Sequence, residues 1–315
     1  MNPILLKIGP LQVTWYGLLI VGGAVLAAWI CTVEAKRRGE DPDHAWNLLT
    51  WALIFGIIGA RLYHVFSTPT GNFAGWDYYR QNPIEIIAFW NGGFRGLGIF
   101  GAVIGGVFAF WLYTQHLARN DAGQRVRLSF GRWLDIATPG IMLAQAIGRM
   151  GNRINQELYG PSTTLPWAFH INPAYPCQEP PGSPNACGLP DRQTAEALAW
   201  YQTHGYHPVF FYEALWNLTG FVLVLVGGRK LYSRLRDGDL FLFYMIWYPT
   251  GRFLTEFLRP DAWRMGSLAT AQWVSLILII AGIAGIIWNH RKNAPAPSPV
   301  GGTLKVKQGS EEAGE

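Results

Sequence analysis

The chain has 315 residues, 50% of them hydrophobic and only 14% charged, with 15 tryptophans and a formal net charge of +5. Soluble globular proteins carry roughly 25% charged residues, so these proportions exclude a disordered or collagen-like chain and argue against a soluble single-core enzyme. The basic residues fall in short bursts between apolar runs, a pattern that concerns the two faces of a bilayer more than a nucleic acid.

A run of about 20 apolar residues crosses about 30 Å of hydrocarbon. In chain order such runs occupy Tyr16–Ala35, Trp46–Phe66, Leu97–Gln115, Trp133–Gly148, Val209–Gly228, Leu240–Phe257 and Trp273–Trp288, the fourth being short. The first is followed, not preceded, by the basic stretch Lys36-Arg37-Arg38, so it is expected to stay as a span, with no cleaved signal. The flanks on one side hold Lys36, Arg37, Arg38, Arg119, Arg125, Arg127, Arg132, Arg229, Lys230, Arg234, Arg236, Arg291 and Lys292; the other side has Lys7, Arg80, Arg192, Arg259 and Arg264. That imbalance predicts an all-α membrane protein of about seven transmembrane helices, N-terminus out and C-terminus in.

Residues 1–292 then form one polytopic domain, with an outer insertion at about 152–207 as a small irregular head. Pro166, Pro173, Pro176, Pro180, Pro181, Pro184 and Pro190 all fall in that insertion. Cys177 and Cys187 lie there too, on the oxidising side, and are open to two readings: a bond closing a small loop, or two free thiols. Cys31, inside the first run, reads as core packing. Residues 293–315 have the composition of a disordered tail on the inner side. No long internal repeat is evident, which weakens a transporter built from inverted halves.

Function must come from polar groups in or beside the spans, because a charge near the bilayer centre costs about 2.5–3.5 kcal/mol on insertion scales. Arg61, Arg149 and Arg252 each follow a glycine or Gly-Ala near the outer end of an outward-running span. They are expected to converge on one cavity, where planar guanidinium suits bidentate recognition of a phosphate. For all three the competing reading is snorkelling to headgroup level, and it weighs most for Arg61. The densest pattern is Gly148-Arg149-Met150-Gly151-Asn152-Arg153-Ile154-Asn155-Gln156-Glu157-Leu158-Tyr159-Gly160, read as loop backbone that lines a cavity.

This Gly-Arg-x-Gly-Asn-x-x-Asn-x-Glu-x-x-Gly run resembles the signature of the prolipoprotein diacylglyceryl transferase family. The resemblance extends to Trp15-Tyr16-Gly17, to Gly59-Ala60-Arg61-Leu62-Tyr63, to His207-Pro208 with Tyr212-Glu213, and to Tyr248 with Gly251-Arg252-Phe253 and Glu256-Phe257, Arg259 and Asp261. It implies a bacterial plasma (inner) membrane enzyme with its active site toward the outer leaflet. That enzyme moves the diacylglyceryl group of phosphatidylglycerol onto the lipobox cysteine of a prolipoprotein, forms a thioether and releases glycerol-1-phosphate. This is the first step of bacterial lipoprotein maturation.

In that reading Arg149 and Arg252 clamp the phosphate and stabilise the leaving group, and Tyr16 and Tyr248 supply hydroxyls. Arg61, Asn152, Asn155, Glu157, Gly160, His207, Glu256, Gly98 and Gly101 are expected to bind substrate, although Gly98, Gly101 and Gly105 also suit close helix packing. Glu213, Glu256, Glu157 and Asp261 each neighbour an arginine in the motifs and are read as orienting it. Two positions depart from the family: Phe100 stands where a histidine often precedes the glycine run, and Arg153 where an aromatic is common. His64, one turn from Arg61, is a substitute base or a structural histidine. No HExxH, Cys-x-x-Cys or Asp-rich loop is present, so a reaction without metal or cofactor is expected and no nucleic acid partner. The rival function is a transporter or scramblase that moves anionic lipids without chemistry.

Overall fold

The computed structural model describes residues 3–8, 11–67, 75–87, 98–172, 203–259, 262 and 264–291. Cys177, Cys187, Arg192, Asp261, the run 91–97 and the tail 293–315 lie outside the described residues. The chain is mostly helical, and long helices stand at each predicted position: α1 (Trp15–Arg37), α2 (Asp43–Phe66), α3 (Ile99–Leu112), α4 (Phe130–Asn155), α5 (Val209–Val222), α6 (Asp239–Glu256) and α7 (Thr270–Arg291). π-helical turns extend α3 through Tyr113–Leu117 and α5 through Leu223–Gly227.

Five of these helical segments are long and apolar enough to cross a membrane: Trp15–Arg37, Asp43–Phe66, Ile99–Leu117, Val209–Lys230 and Thr270–Arg291. α4 and α6 are more polar, and they turn much of that polarity inward: Asp135, Thr138 and Asn152 are buried on α4, and Asp239, Thr255 and Glu256 on α6. The all-helical expectation is corrected in detail by three antiparallel pairs, β1 (Ile4–Ile8) with β2 (Leu11–Thr14), β3 (Ser162–Thr163) with β4 (Gly205–Tyr206), and β5 (Arg264–Met265) with β6 (Leu268–Ala269).

Local chemistry sets the helix ends. Thr14 caps α1, its hydroxyl accepting from the Gly17 amide at 3.1 Å, which satisfies one of the first-turn donors. The chain leaves α1 at Gly39, whose φ of 74° is a left-handed stop. α6 is capped from a distance: the buried Asp135 carboxylate of α4 accepts from the amides of Gly238 at 2.8 Å and Phe241 at 3.0 Å. A negative charge at a helix N-terminus also suits the macrodipole.

α1 and α4 run antiparallel, with Gly23 beside Ala144 and Gly140 against Ala27. α2 and α3 form a second antiparallel pair, so tight that a methyl on Gly101 would stand 2.1 Å from the Gly59 carbonyl oxygen. Small residues let helices approach this closely in a membrane, where packing replaces the hydrophobic drive. α4, α5 and α6 gather around Met142, Gly220 and Trp247. At the far end of α1, Cys31, Ala35, Ala45, Leu48, Tyr113, Trp133 and Ile136 make a buried core, so Cys31 packs as expected.

Candidate active site

Three helices build the site by placing charges at matching depth. α4 contributes Arg149, α5 contributes Glu213 from its first turns, and α6 contributes Arg252 and Glu256. Arg149 Nε lies 2.6 Å from one oxygen of Glu213, and Arg252 Nη1 lies 2.6 Å from the other. Arg252 Nη2 stands 2.6 Å from Glu256 one turn on, and Arg259 approaches the same carboxylate at 3.9 Å. The Thr255 hydroxyl donates to Glu213 at 2.9 Å. Two of the three predicted arginines therefore meet on one carboxylate.

Glu213 and Glu256 are each only 4% exposed. A carboxylate so deep is tolerated only when paired and hydrogen-bonded, and two guanidiniums drawn to one site repel each other unless an anion lies between them. Glu213 removes both penalties together. It holds the arginines side by side while leaving most of their five N–H donors apiece uncommitted to it. The two arginines and two glutamates sum to zero charge, and Arg259 tips the cluster to +1, a setting that suits an anion. Beside the ion cluster opens a small cleft lined by Glu213, Trp216, Asn217, Tyr248, Gly251 and Arg252. Trp216 covers Gly251, stacks on Trp247 at 4.5 Å and donates to the Trp247 carbonyl at 2.8 Å.

The glycine–asparagine motif corrects the loop expectation. Gly148 to Asn155 are the last two turns of α4, and the chain leaves the helix only at Gln156, with φ 57°, followed by Leu158 with φ 54°. Nothing in the run breaks a helix, and Gly151 leaves room for the Tyr16 ring, which would lie 2.5 Å from a methyl there. Past the helix end, Glu157 folds back to accept from Asn152 and Asn155, each at 3.0 Å. Tyr16 lies within electrostatic range of both Glu157 and Arg149.

Gly160 and His207 tie the strands outside the bundle together: the Gly160 amide donates to the His207 carbonyl at 2.8 Å, and the His207 amide to Pro161 at 3.1 Å. A methyl on Gly160 would fall 2.8 Å from the Leu258 carbonyl oxygen. The His207 ring meets the Tyr212 hydroxyl at 3.2 Å. Tyr159, Ile171 and Tyr206 bury a small core there.

Other predicted residues make their described contacts elsewhere. Arg61 donates to the carbonyls of Ile86 at 2.8 Å and Glu85 at 2.5 Å, with its guanidinium over the Tyr79 ring. Its described contacts brace the segment after α2. His64 faces Tyr79. Gly98 and Gly101 press on Tyr63 and Gly59, the packing role foreseen for them. Phe100 is half exposed beside Tyr63. The sequence reading has Glu213 orienting one arginine, not bridging two, and does not include Thr255 or Asn217; a carboxylate and an amide one turn apart in an apolar run are the available signal.

A sequence profile described as prolipoprotein diacylglyceryl transferase matches residues 3–288. The chain is similar to a phosphatidylglycerol–prolipoprotein diacylglyceryl transferase of Lysinibacillus sphaericus, 38% identical over 94% of this chain and 94% of that protein. It is also similar to proteins of the same name from Streptococcus sanguinis, 35% identical over 93% of this chain and 98% of the relative, and Streptococcus mutans, 34% identical over 93% and 97%. With the match spanning nearly its whole length, this chain belongs to the prolipoprotein diacylglyceryl transferase family.

Proposed function

We propose that the chain transfers the diacylglyceryl group of phosphatidylglycerol to the lipobox cysteine of a prolipoprotein. The observation that carries this reading is the pair Arg149 and Arg252, from two helices, held on Glu213 beside a cleft. The reaction breaks the bond between the glyceryl carbon and the phosphate oxygen and forms a carbon–sulfur bond. The thiol loses its proton, and glycerol-1-phosphate leaves with the electron pair. Fixed guanidinium donors at that oxygen are worth about 3–4 kcal/mol by analogy with oxyanion holes. The same positive field lowers the pKa of an approaching thiol, which supplies thiolate without a dedicated histidine at Phe100.

Tyr16 and Tyr248 offer hydroxyls to lipid or thiol. Glu256 fixes Arg252, and Glu157 with Asn152 and Asn155 shapes the mouth of the site above Gly151. Gly160 and His207 hold the outer strands over it, Arg61 steadies the neighbouring wall, and Gly98 and Gly101 let α3 close on α2. In our reading all seven long helices span the plasma membrane of a bacterium, N-terminus out. Residues 1–292 form the catalytic domain, the head at about 152–207 stands on the outer side, and residues 293–315 trail inside. α4 and α6 tolerate their polar residues because they face other helices.

The test is product analysis. Purified protein with phosphatidylglycerol and a lipobox peptide is expected to yield diacylglyceryl-peptide and glycerol-1-phosphate in equal amounts. Unchanged lipid and peptide, with lipid moving between leaflets of a vesicle, would replace this reading with transport.

A further inference from the structure

Below the ion cluster lies a second polar layer, of which the reaction as described uses only Tyr248. Each of the three helices repeats the pattern at a spacing of four: Gln145 beneath Arg149 on α4, Asn217 beneath Glu213 on α5, and Tyr248 and then Tyr244 beneath Arg252 on α6. α4 and α6 approach the cluster as numbering rises and α5 leaves it, so all four residues sit deeper in the bundle. Gln145 Nε2 donates to the Tyr244 hydroxyl at 2.8 Å, and Tyr244 stacks on Tyr248 at 5.7 Å, which fixes the Tyr248 ring along the cleft.

Asn217 lines the cleft opposite, is 2% exposed, and its side-chain oxygen has no hydrogen-bond partner among the described residues. A buried amide oxygen left without a donor costs about 1–3 kcal/mol, so the position is built for something that brings a donor. Of the groups in a phosphatidylglycerol molecule, only the two headgroup hydroxyls donate; the ester carbonyls and phosphate oxygens only accept.

Resting on the proposed transfer reaction, we infer that Asn217 is a specificity-determining residue: its side-chain oxygen accepts a hydroxyl of the lipid headgroup while Arg149 and Arg252 hold the adjoining phosphate. A polar site that reads a hydroxyl discriminates strongly against the analogue lacking it, because its own buried group then stays unpaired. Asn217 thus selects polyol phosphodiesters.

The experiment compares phosphatidylglycerol with phosphatidylethanol, which keeps the phosphodiester and its leaving-group chemistry but has no headgroup hydroxyl. The ratio of kcat/KM for the two lipids is measured with a lipobox peptide for the wild type and for Asn217→Leu and Asn217→Ser, each checked for wild-type-like thermal unfolding. The wild type is expected to favour phosphatidylglycerol by about tenfold or more, and a folded variant to bring the two within about threefold. Two results overturn the inference: a wild type indifferent to the hydroxyls, or a folded variant that keeps the wild-type ratio, the serine variant deciding if the leucine variant does not fold. Failure of the transfer reaction itself is separate, since the wild type would then make no diacylglyceryl-peptide from either lipid.

Discussion

Two ends of this bundle solve the same electrostatic problem for different purposes. At one end Glu213 lies between Arg149 and Arg252; at the other, Glu34, 2% exposed, accepts from Arg37 at 2.9 Å and from Arg229 at 2.8 Å. Along α4, Asp135 marks the second end and Arg149 the first, about 21 Å apart at 1.5 Å per residue. Around Glu34 the arginines are committed to structure: Arg37 and Arg38 lie over the Tyr232 ring at 5.3 and 5.5 Å, and the Arg229 side chain is 43% exposed. Around Glu213 they are enclosed, Arg252 at 16% exposure, and they border a cleft lined with Tyr248 and Asn217. A buried carboxylate with two arginines is therefore no sign of a site by itself. What marks the Glu213 end is the cleft beside it, with the Tyr248 and Asn217 side chains on its walls.

The largest effect should come from keeping charge and removing geometry. Arg149→Lys and Arg252→Lys preserve the positive charge but lose the planar fork, and each is expected to lower diacylglyceryl-peptide formation by about 10²–10³-fold. Arg229→Lys at the other end is expected to stay within about threefold of wild type, because its donor serves packing and not a leaving group. Equal losses at both ends would erase the contrast. Next come the carboxylates. Glu34→Gln leaves two arginines without their anion and is expected to lower stability by about 3 kcal/mol, read by denaturation in mild detergent, with the folded enzyme fully active. Glu213→Gln is expected to cost a similar amount and also most of the activity, since the guanidiniums would repel each other out of register.

Much of this architecture is legible because the length of an apolar run is a strong physical signal. Trp46–Phe66 and Trp273–Trp288 fall inside α2 and α7 because apolar runs of that length have one economical conformation in lipid. Hydropathy alone gives α4 too short, Trp133–Gly148 against Phe130–Asn155, because polar residues that face other helices look like a helix end when only hydropathy is weighed. Arg149 and Arg252 were found as paired cations. Their meeting point on Glu213 was not, since which carboxylate bridges two helices depends on helix rotation, which no single motif encodes. Arg61 shows the limit from the other side. It shares the glycine-arginine context of the other two, yet binds carbonyls of Glu85 and Ile86 in a segment with little pattern of its own.

A smaller effect belongs to the seam between α2 and α3. Gly101→Ala places a methyl 2.1 Å from the Gly59 carbonyl oxygen and 2.5 Å from Tyr63 Cβ. Backbone on one side must move, so a loss of about 1–3 kcal/mol is expected, by analogy with overpacked cores. Because Gly101 packs on Gly59 and Tyr63 and not on the Arg149–Glu213–Arg252 cluster, the catalytic rate of the folded variant should change far less than its unfolding temperature. A rate that collapses at unchanged stability would instead make the α3 face part of the substrate wall.

The smallest expected effect is also the most informative about the proton. His64 stands on α2 against Tyr79, beside an Arg61 whose guanidinium is bonded to backbone carbonyls. A general base is worth about 10²–10⁴-fold when it takes the proton in the transition state. If the thiol is ionised by the field of Arg149 and Arg252, His64→Gln has nothing to remove, and turnover should stay within about threefold of wild type across the neutral pH range. A loss of a hundredfold with lipid binding intact would make His64 the acceptor and require the α2–α3 pair to close on the other helices during turnover. Retained activity leaves the Arg149–Arg252 end of the bundle as the source of both phosphate recognition and thiolate.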